Sequence, residues 1–166
     1  TKLAGEHLCQ LYYRNYGLHV VSLRYFTVYG PRQRPDMAFH RFIRSLLQGS
    51  PLRIYGDGEQ TRDFTYVSDA VEANLLALRE GVEGMVFNIG GGSRVSLKEA
   101  IKVLERITGR QSQIIYDRPQ KGDVRHTFAD TSRAQAILGF SPKIPLEEGL
   151  LKEVEWVKMA LASGLI

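Results

Sequence analysis

The run His19-Val20-Val21-Ser22-Leu23-Arg24-Tyr25 passes without a break into Phe26-Thr27-Val28-Tyr29-Gly30-Pro31-Arg32. Residues 19–25 are β-branched and continuous enough for a buried strand, and Gly30-Pro31 makes a turn after its carboxyl end. Ligands of open α/β sheets bind at that end of the strands, so this stretch bears on both fold class and site. Taken by itself it fits equally well a strand edge whose aromatics enter the core.

Outward from it, helical and extended periods alternate. Ala4, Leu8, Leu11 and Tyr12 stand on one helical face, predicting a helix from residue 3 to about residue 15 that Gly17 closes. Phe39, Phe42, Ile43, Leu46 and Leu47 repeat that spacing before the stop Gly49-Ser50-Pro51. Leu52–Tyr55 and Phe64–Val67 read as short strands around the turn Gly56-Asp57-Gly58. Ser68 is the expected cap of a helix over Asp69–Glu80, and Met85–Ile89 a strand running into Gly90-Gly91-Gly92. Ser96 and Glu99 have capping-box spacing ahead of Leu97, Ala100, Ile101, Leu104 and Ile107, with Gly109 as the stop. A strand over Ser112–Tyr116, a short helix near 132–138 and a last helix carrying Leu150, Val154, Val157 and Leu161 complete the pattern. The alternation makes the chain α/β or α+β, with residues 1–166 as a single unit lacking repeats or linkers.

Composition narrows the function. At 43% hydrophobic and 24% charged residues, the 166-residue chain has the makings of a packed core and not of a disordered tract. No run approaches the ~18 apolar residues of a membrane span and no secretory leader opens the chain, so a cytoplasmic setting without membrane partners is expected. Cys9, the only cysteine, excludes an internal disulfide and a thiolate-cluster metal site, and is expected to be a small buried side chain. The four histidines lack metal-ligand spacing, so no metal is expected. The net charge of +4 is scattered and suits a phosphate-bearing small ligand. A nucleic-acid partner is not expected, because basic and aromatic residues do not interleave in a recognition motif.

Three segments carry candidate chemistry. In Tyr55-Gly56-Asp57-Gly58-Glu59-Gln60-Thr61-Arg62-Asp63-Phe64-Thr65-Tyr66-Val67-Ser68-Asp69, a glycine turn sets Arg62 beside aromatics. A guanidinium forks onto phosphate oxygens and an aromatic ring stacks on a base, although a hairpin with a surface ion pair has the same pattern. Gly90-Gly91-Gly92 precedes a capped helix, where free amides bind anions. It lacks the spacing of a phosphate loop and reads better as a strand-to-helix turn. Gly122-Asp123-Val124-Arg125-His126-Thr127 offers Asp123 to sugar hydroxyls or, equally, to solvent.

In order along the chain, Thr1-Lys2-Leu3-Ala4-Gly5-Glu6, Arg24-Tyr25-Phe26-Thr27-Val28-Tyr29-Gly30-Pro31, Arg62-Asp63-Phe64-Thr65-Tyr66-Val67-Ser68-Asp69 and the Asp123 segment resemble the carboxyl-terminal half of the extended short-chain dehydrogenases/reductases. The likeness is to their NAD-dependent nucleotide-sugar epimerases and dehydratases. It implies the last parallel strands of a Rossmann-type fold plus a mixed α/β substrate-binding subdomain. Lys2 matches the lysine that binds the nicotinamide ribose and depresses a catalytic tyrosine's pKa. That tyrosine would lie four positions before Lys2. Tyr25 and Phe26 match the segment at the nicotinamide, and Thr27 stands where many relatives place an Asn on the sugar diphosphate. Met37 and Ala38 match a segment closing over the nucleotide. Arg53 and Tyr55 belong to the strand that pairs with and stacks on uracil; Arg62 matches the diphosphate clamp and Asp123 a ribose or diphosphate contact. Gln120 stands where relatives often carry a second diphosphate arginine, a role for which Lys121 or Arg125 is the substitute.

Thr27 with Arg34-Pro35-Asp36-Met37-Ala38 resembles the uronate-type 4-epimerases more than the galactose type. What is implied is a UDP-sugar 4-epimerase acting by transient oxidation at sugar C4 and working as a homodimer. A 4,6-dehydratase or uronate decarboxylase of the same family, and an inactive nucleotide-sugar-binding fragment, are the alternatives. The family's G-x-x-G-x-x-G turn for NAD's pyrophosphate appears nowhere in the sequence. The NAD-binding half is therefore expected to lie outside the chain, which by itself should not catalyse.

Overall fold

In the computed structural model, which describes residues 1–166, the opening run is a single extended segment shared between two sheets. β1 (Ser22–Tyr25) pairs in parallel with β5 (Val86–Ile89). β2 (Thr27–Tyr29) pairs in parallel with β4 (Thr61–Tyr66), which is antiparallel to β6 (Arg94–Ser96). Phe26 alone separates β1 from β2, and its N–H donates to the Ile89 carbonyl at 2.9 Å. A third pair, β3 (Leu52–Tyr55) parallel to β7 (Ile114–Asp117), stands apart. The helices are α1 (Lys2–Tyr16), α2 (Ala38–Gln48), α3 (Val67–Leu76), α4 (Leu97–Thr108) and α5 (Leu146–Ala162), with one π-helical turn at Ala134–Leu138. No helix is long and apolar enough to cross a membrane.

Two cores follow from the periodicity. Phe39, Phe42, Ile43 and Leu46 of α2 meet Ile101 and Leu104 of α4, and Leu150, Val154 and Val157 of α5, over Tyr29, Phe64 and Tyr66 of the β2–β4 pair. Tyr29 stands edge-on to Phe39 at 5.5 Å and to Tyr66 at 5.6 Å, the favoured arrangement of aromatic quadrupoles. The smaller core joins Phe87 and Ile89 of β5 to Ala73, Val82, Ala134, Leu138 and Phe140. α1 buries no residue. It is held by Gln10 on the Gly84 carbonyl and by Arg24, whose fork grips Glu6 at 2.7 and 2.6 Å. Cys9 is consequently half-exposed, not buried as expected.

Local signals held where the determinants are local. Ser96 and Glu99 form the full capping box, and Gly17, Gly49 and Gly109 close their helices in the left-handed conformation. Other expectations need correction. The first strand starts at Ser22, because the Val20 carbonyl turns aside to accept from the Gly84 N–H at 2.7 Å. β3 and β4 do not form a hairpin: each finds a distant partner. Ser68 is no cap, since α3 already begins at Val67. After Leu76 that helix tightens into bonds from Leu78 to Leu75 and from Arg79 to Leu76, ending short of Glu80. β6 intervenes between the triple glycine and α4, so the glycines turn a strand into a strand. The last predicted strand starts two residues later and ends one residue later than expected, at Ile114–Asp117.

Candidate functional site

A cleft of about 340 Å³ opens where β2, the start of α2, β3 and β4 converge. Thr27, Met37, Ala38, Arg53, Tyr55, Arg62 and Asp123 all line it. The seven residues come from five separate stretches of sequence, and the fold brings every one to the same cleft. Arg41, one turn into α2, and Gln60 line it too; neither is singled out by the sequence, where an arginine in an amphipathic helix reads as a solvated flank. Arg41 has no carboxylate within ion-pair distance.

Arg62 is the second residue of β4, with its side chain only 18% exposed. One terminal nitrogen donates to the Thr61 carbonyl at 2.8 Å and to the Arg125 carbonyl at 3.4 Å, while the other is paired with the Asp123 carboxylate. The Nε–H and one terminal hydrogen remain for an oxyanion, in the fixed fork that suits phosphate. Asp123 thus orients Arg62 as well as lining the cleft. Arg53 lies farther out, with Asp117 at 3.2 and 3.3 Å. Arg125, the stand-in for an arginine at Gln120, forks onto Asp57 at 2.9 Å and is committed to the turn after β3. That pair holds the Asp57 carboxyl below its ordinary value, chiefly through the hydrogen bond from Arg125.

The triple glycine serves the fold. Gly91 donates its N–H to the buried Asp63 carboxylate at 2.7 Å, and the other Asp63 oxygen accepts from the Ala129 N–H at 3.1 Å. An internal carboxylate therefore takes the place of the anion that a phosphate loop would receive.

A second cleft adjoins the first and shares Thr27 and Met37 with it. Lys2, Tyr25 and Phe26 line this side. Lys2 opens α1 and is exposed; the Tyr25 hydroxyl donates to Asn74 Oδ1 at 2.8 Å. Because the Phe26 N–H is engaged by Ile89, Phe26 offers a ligand only its carbonyl and ring. The change of sheets at Phe26 is thus what sets the two clefts side by side.

The loop Gly30–Met37 lines the second cleft and reaches the first at Met37. Gly30 has φ 134°, and a Cβ there would approach Val67 Cγ1 to 2.8 Å, so no other residue fits. Gln33 braces the loop, donating to the Val28 carbonyl at 3.1 Å and accepting from the His40 N–H at 3.1 Å. Among His, Cys, Asp and Glu no group could hold a metal ion.

The family model described as "NAD dependent epimerase/dehydratase family" matches residues 1–90. An uncharacterized UDP-glucose epimerase of Bacillus subtilis is 44% identical over 158 residues, covering 95% of this chain and 50% of that protein. The crystal structure of UDP-glucuronic acid 4-epimerase from Bacillus cereus, in complex with UDP-glucuronic acid and NAD, superimposes with a TM-score of 0.91 at 45% identity, over 95% of this chain and 51% of that one. That of UDP-glucose 4-epimerase from Thermotoga maritima, with UDP-glucose, gives 0.92 at 41% identity, over 96% and 52%. The chain spans about half the length of the relatives it matches.

Proposed function

Since the chain belongs to the NAD dependent epimerase/dehydratase family, we propose that it is the carboxyl-terminal, nucleotide-sugar-binding part of a UDP-sugar 4-epimerase whose NAD-binding half lies outside these residues. The observation that carries the reading is the convergence of Thr27, Met37, Ala38, Arg53, Tyr55, Arg62 and Asp123 on one cleft. Such a cleft combines a phosphate fork with an aromatic ring and a second guanidinium, the groups that suit the diphosphate and the base of a nucleotide sugar.

In this reading Arg62, aimed by Asp123, grips the diphosphate. Tyr55 and Arg53 receive the base, Met37 and Ala38 close over the nucleotide, and the Thr27 hydroxyl donates toward the sugar end. Anchoring the diphosphate holds the sugar ring against the second cleft while leaving it free to turn over, which a 4-epimerase requires. NAD, when bound, takes up and returns a hydride at sugar C4. The fit of this chain to NAD is confined to its nicotinamide end: Lys2, Tyr25 and the Phe26 carbonyl border the second cleft. Lys2 would hold the ribose there, and its ammonium would favour the anionic form of a tyrosine supplied from outside these residues, preparing it to take the C4 hydroxyl proton.

The exposed Leu8, Leu11 and Tyr12 of α1 support pairing of two such subunits along that helix, and a cytoplasmic setting completes the reading. Titration calorimetry of the chain with UDP-glucuronate, UDP-glucose and UMP tests it. The expected result is binding of the two UDP-sugars well above UMP, with C4 interconversion only in a chain that also carries an NAD-binding half. Absence of binding by either UDP-sugar would overturn it.

A further inference from the structure

The cleft wall has an anchor outside every motif considered so far. Glu153 lies on α5, is completely buried, and accepts the Gly30 N–H through Oε2 at 2.9 Å. Its other oxygen, Oε1, has no partner. Its neighbours Tyr29 from β2 and Tyr66 from β4 also feel Glu148 and Asp69, and Tyr66 feels Lys152, whereas Glu153 itself is influenced only by burial and the Gly30 N–H. None of them neutralises it. Lys152 is bonded to Glu148 at 2.7 Å, and Asp69 accepts the N–H groups of Lys143 and Ile144 at 3.2 Å. A buried carboxyl without a cation is costly, and a core position on α5 would be filled more cheaply by an aliphatic side chain. The one contact that it supplies is to Gly30.

Gly30 is where β2 leaves the sheet and the loop to Met37 begins. Its N–H points into the core, away from any strand partner, so without Glu153 it would be an orphan buried donor. The loop then has three fixed points: Glu153 at Gly30, the Gln33 bridge in the middle, and the start of α2 at Ala38. We propose that Glu153 is a positioning residue for the proposed substrate cleft, holding the Gly30 end of the loop so that Thr27 before it and Met37 after it keep their places on the wall. The inference rests on the nucleotide-sugar reading for its consequence, but its structural half stands apart from it.

The carboxyl performs this role while protonated, its pKa being pushed up to about 8 by burial. The Gly30 N–H itself prefers the ionised form, but opening the loop rehydrates the carboxyl and returns its pKa toward the ordinary value, so opening releases a proton and is favoured progressively as pH rises to about 8. The test uses this chain with Glu153→Gln, which keeps a carbonyl acceptor and cannot ionise, and Glu153→Leu, which keeps the volume and loses the acceptor. Amide exchange, corrected for intrinsic rate, is followed across residues 30–37 and across α2 and α4, alongside UDP-glucuronate affinity. Glu153→Gln should match the wild type at pH 7. Glu153→Leu should raise exchange in 30–37 at least tenfold with α2 and α4 little changed, and weaken UDP-glucuronate binding by a similar factor. From pH 7 to 9 the loop of the wild type should loosen and that of Glu153→Gln should not.

Wild-type protection of 30–37 in Glu153→Leu, uniform loosening of the whole core, or unaltered UDP-glucuronate affinity beside a loosened loop would each overturn the proposal. Should Glu153→Leu fail to fold, the pH comparison of wild type with Glu153→Gln decides by itself, and identical pH behaviour overturns it. A wild type that binds no UDP-sugar defeats the functional reading alone, because the exchange comparison still tests what holds the loop.

Discussion

Arg62 shows how one side chain is made ready for an anion before the anion arrives. Two backbone carbonyls and Asp123 fix the plane of its guanidinium, so little rotamer freedom remains to be lost on binding. Arg62→Ala should therefore weaken UDP-sugar binding by about 2–4 kcal/mol, the scale for truncating one partner of a buried charge-assisted pair. Arg62→Lys should recover only part of this, because an ammonium lacks the fork. Calorimetry on the three proteins decides; unchanged affinity in Arg62→Ala would make it a structural partner of Asp123 and nothing more. Arg62 was legible in the sequence because it sits in an ordered motif with Asp63, Phe64 and Tyr66. Arg41 and Glu153 were not. Each stands in a helix whose apolar positions are obvious, and a charged residue between them reads as solvent-facing until a distant contact, such as the Gly30 N–H for Glu153, shows where the side chain goes.

At the scale of elements, α5 approaches the β2–β4 pair so closely that Gly149 has no room for a side chain: a Cβ there would run into the Tyr29 hydroxyl and the Tyr66 ring. Gly149→Ala brings two opposed effects. Alanine is the better helix former by roughly 0.8–1 kcal/mol, while overpacking against two rings costs about 1–3 kcal/mol. The neighbours are rigid aromatics in the larger core, so the clash should win, and the variant should melt lower than the wild type. Equal or greater stability would mean that α5 shifts outward freely. Helix ends were readable because capping boxes and left-handed glycines are written within a few residues. Strand partnerships were not: the pairing of β3 with β7 spans some sixty residues, and β6 is three residues long. Neither leaves a local signature in the alternation of side chains.

Across the whole molecule, the two-sheet arrangement hinges on Phe26, which no periodicity distinguishes from its neighbours, whereas the α/β class itself followed from the alternation of elements. The same global packing buries two titratable groups of opposite sign. Glu153 has its pKa raised from 4.5 to about 8 by burial. The folded state therefore holds that proton more tightly than the unfolded chain, and the associated stability is complete below pH 4.5 and lost as pH rises through about 8. His40, with neither ring nitrogen partnered, has its pKa lowered below 6.5, chiefly by burial and then by Arg44. Here the unfolded chain binds the proton more readily, so stability is present above pH 6.5 and lost on acidification. Below pH 6.5 the two slopes oppose and largely offset, so together they predict a melting temperature that changes little there and falls as pH rises from 6.5 to about 8. Glu153→Gln should remove the decline above pH 6.5 and uncover a loss on acidification, while His40→Leu should uncover a decline with rising pH that already runs below 6.5. Calorimetric melting of the three chains from pH 5 to 9 separates the contributions: a Glu153→Gln profile parallel to the wild type would show that Glu153 titrates alike in both states, and a His40→Leu profile parallel to it would say the same of His40. One dependence belongs to the carboxyl that meets the β2 turn and the other to an unpartnered ring in the first turn of α2, so the two variants report on different sides of the loop between them.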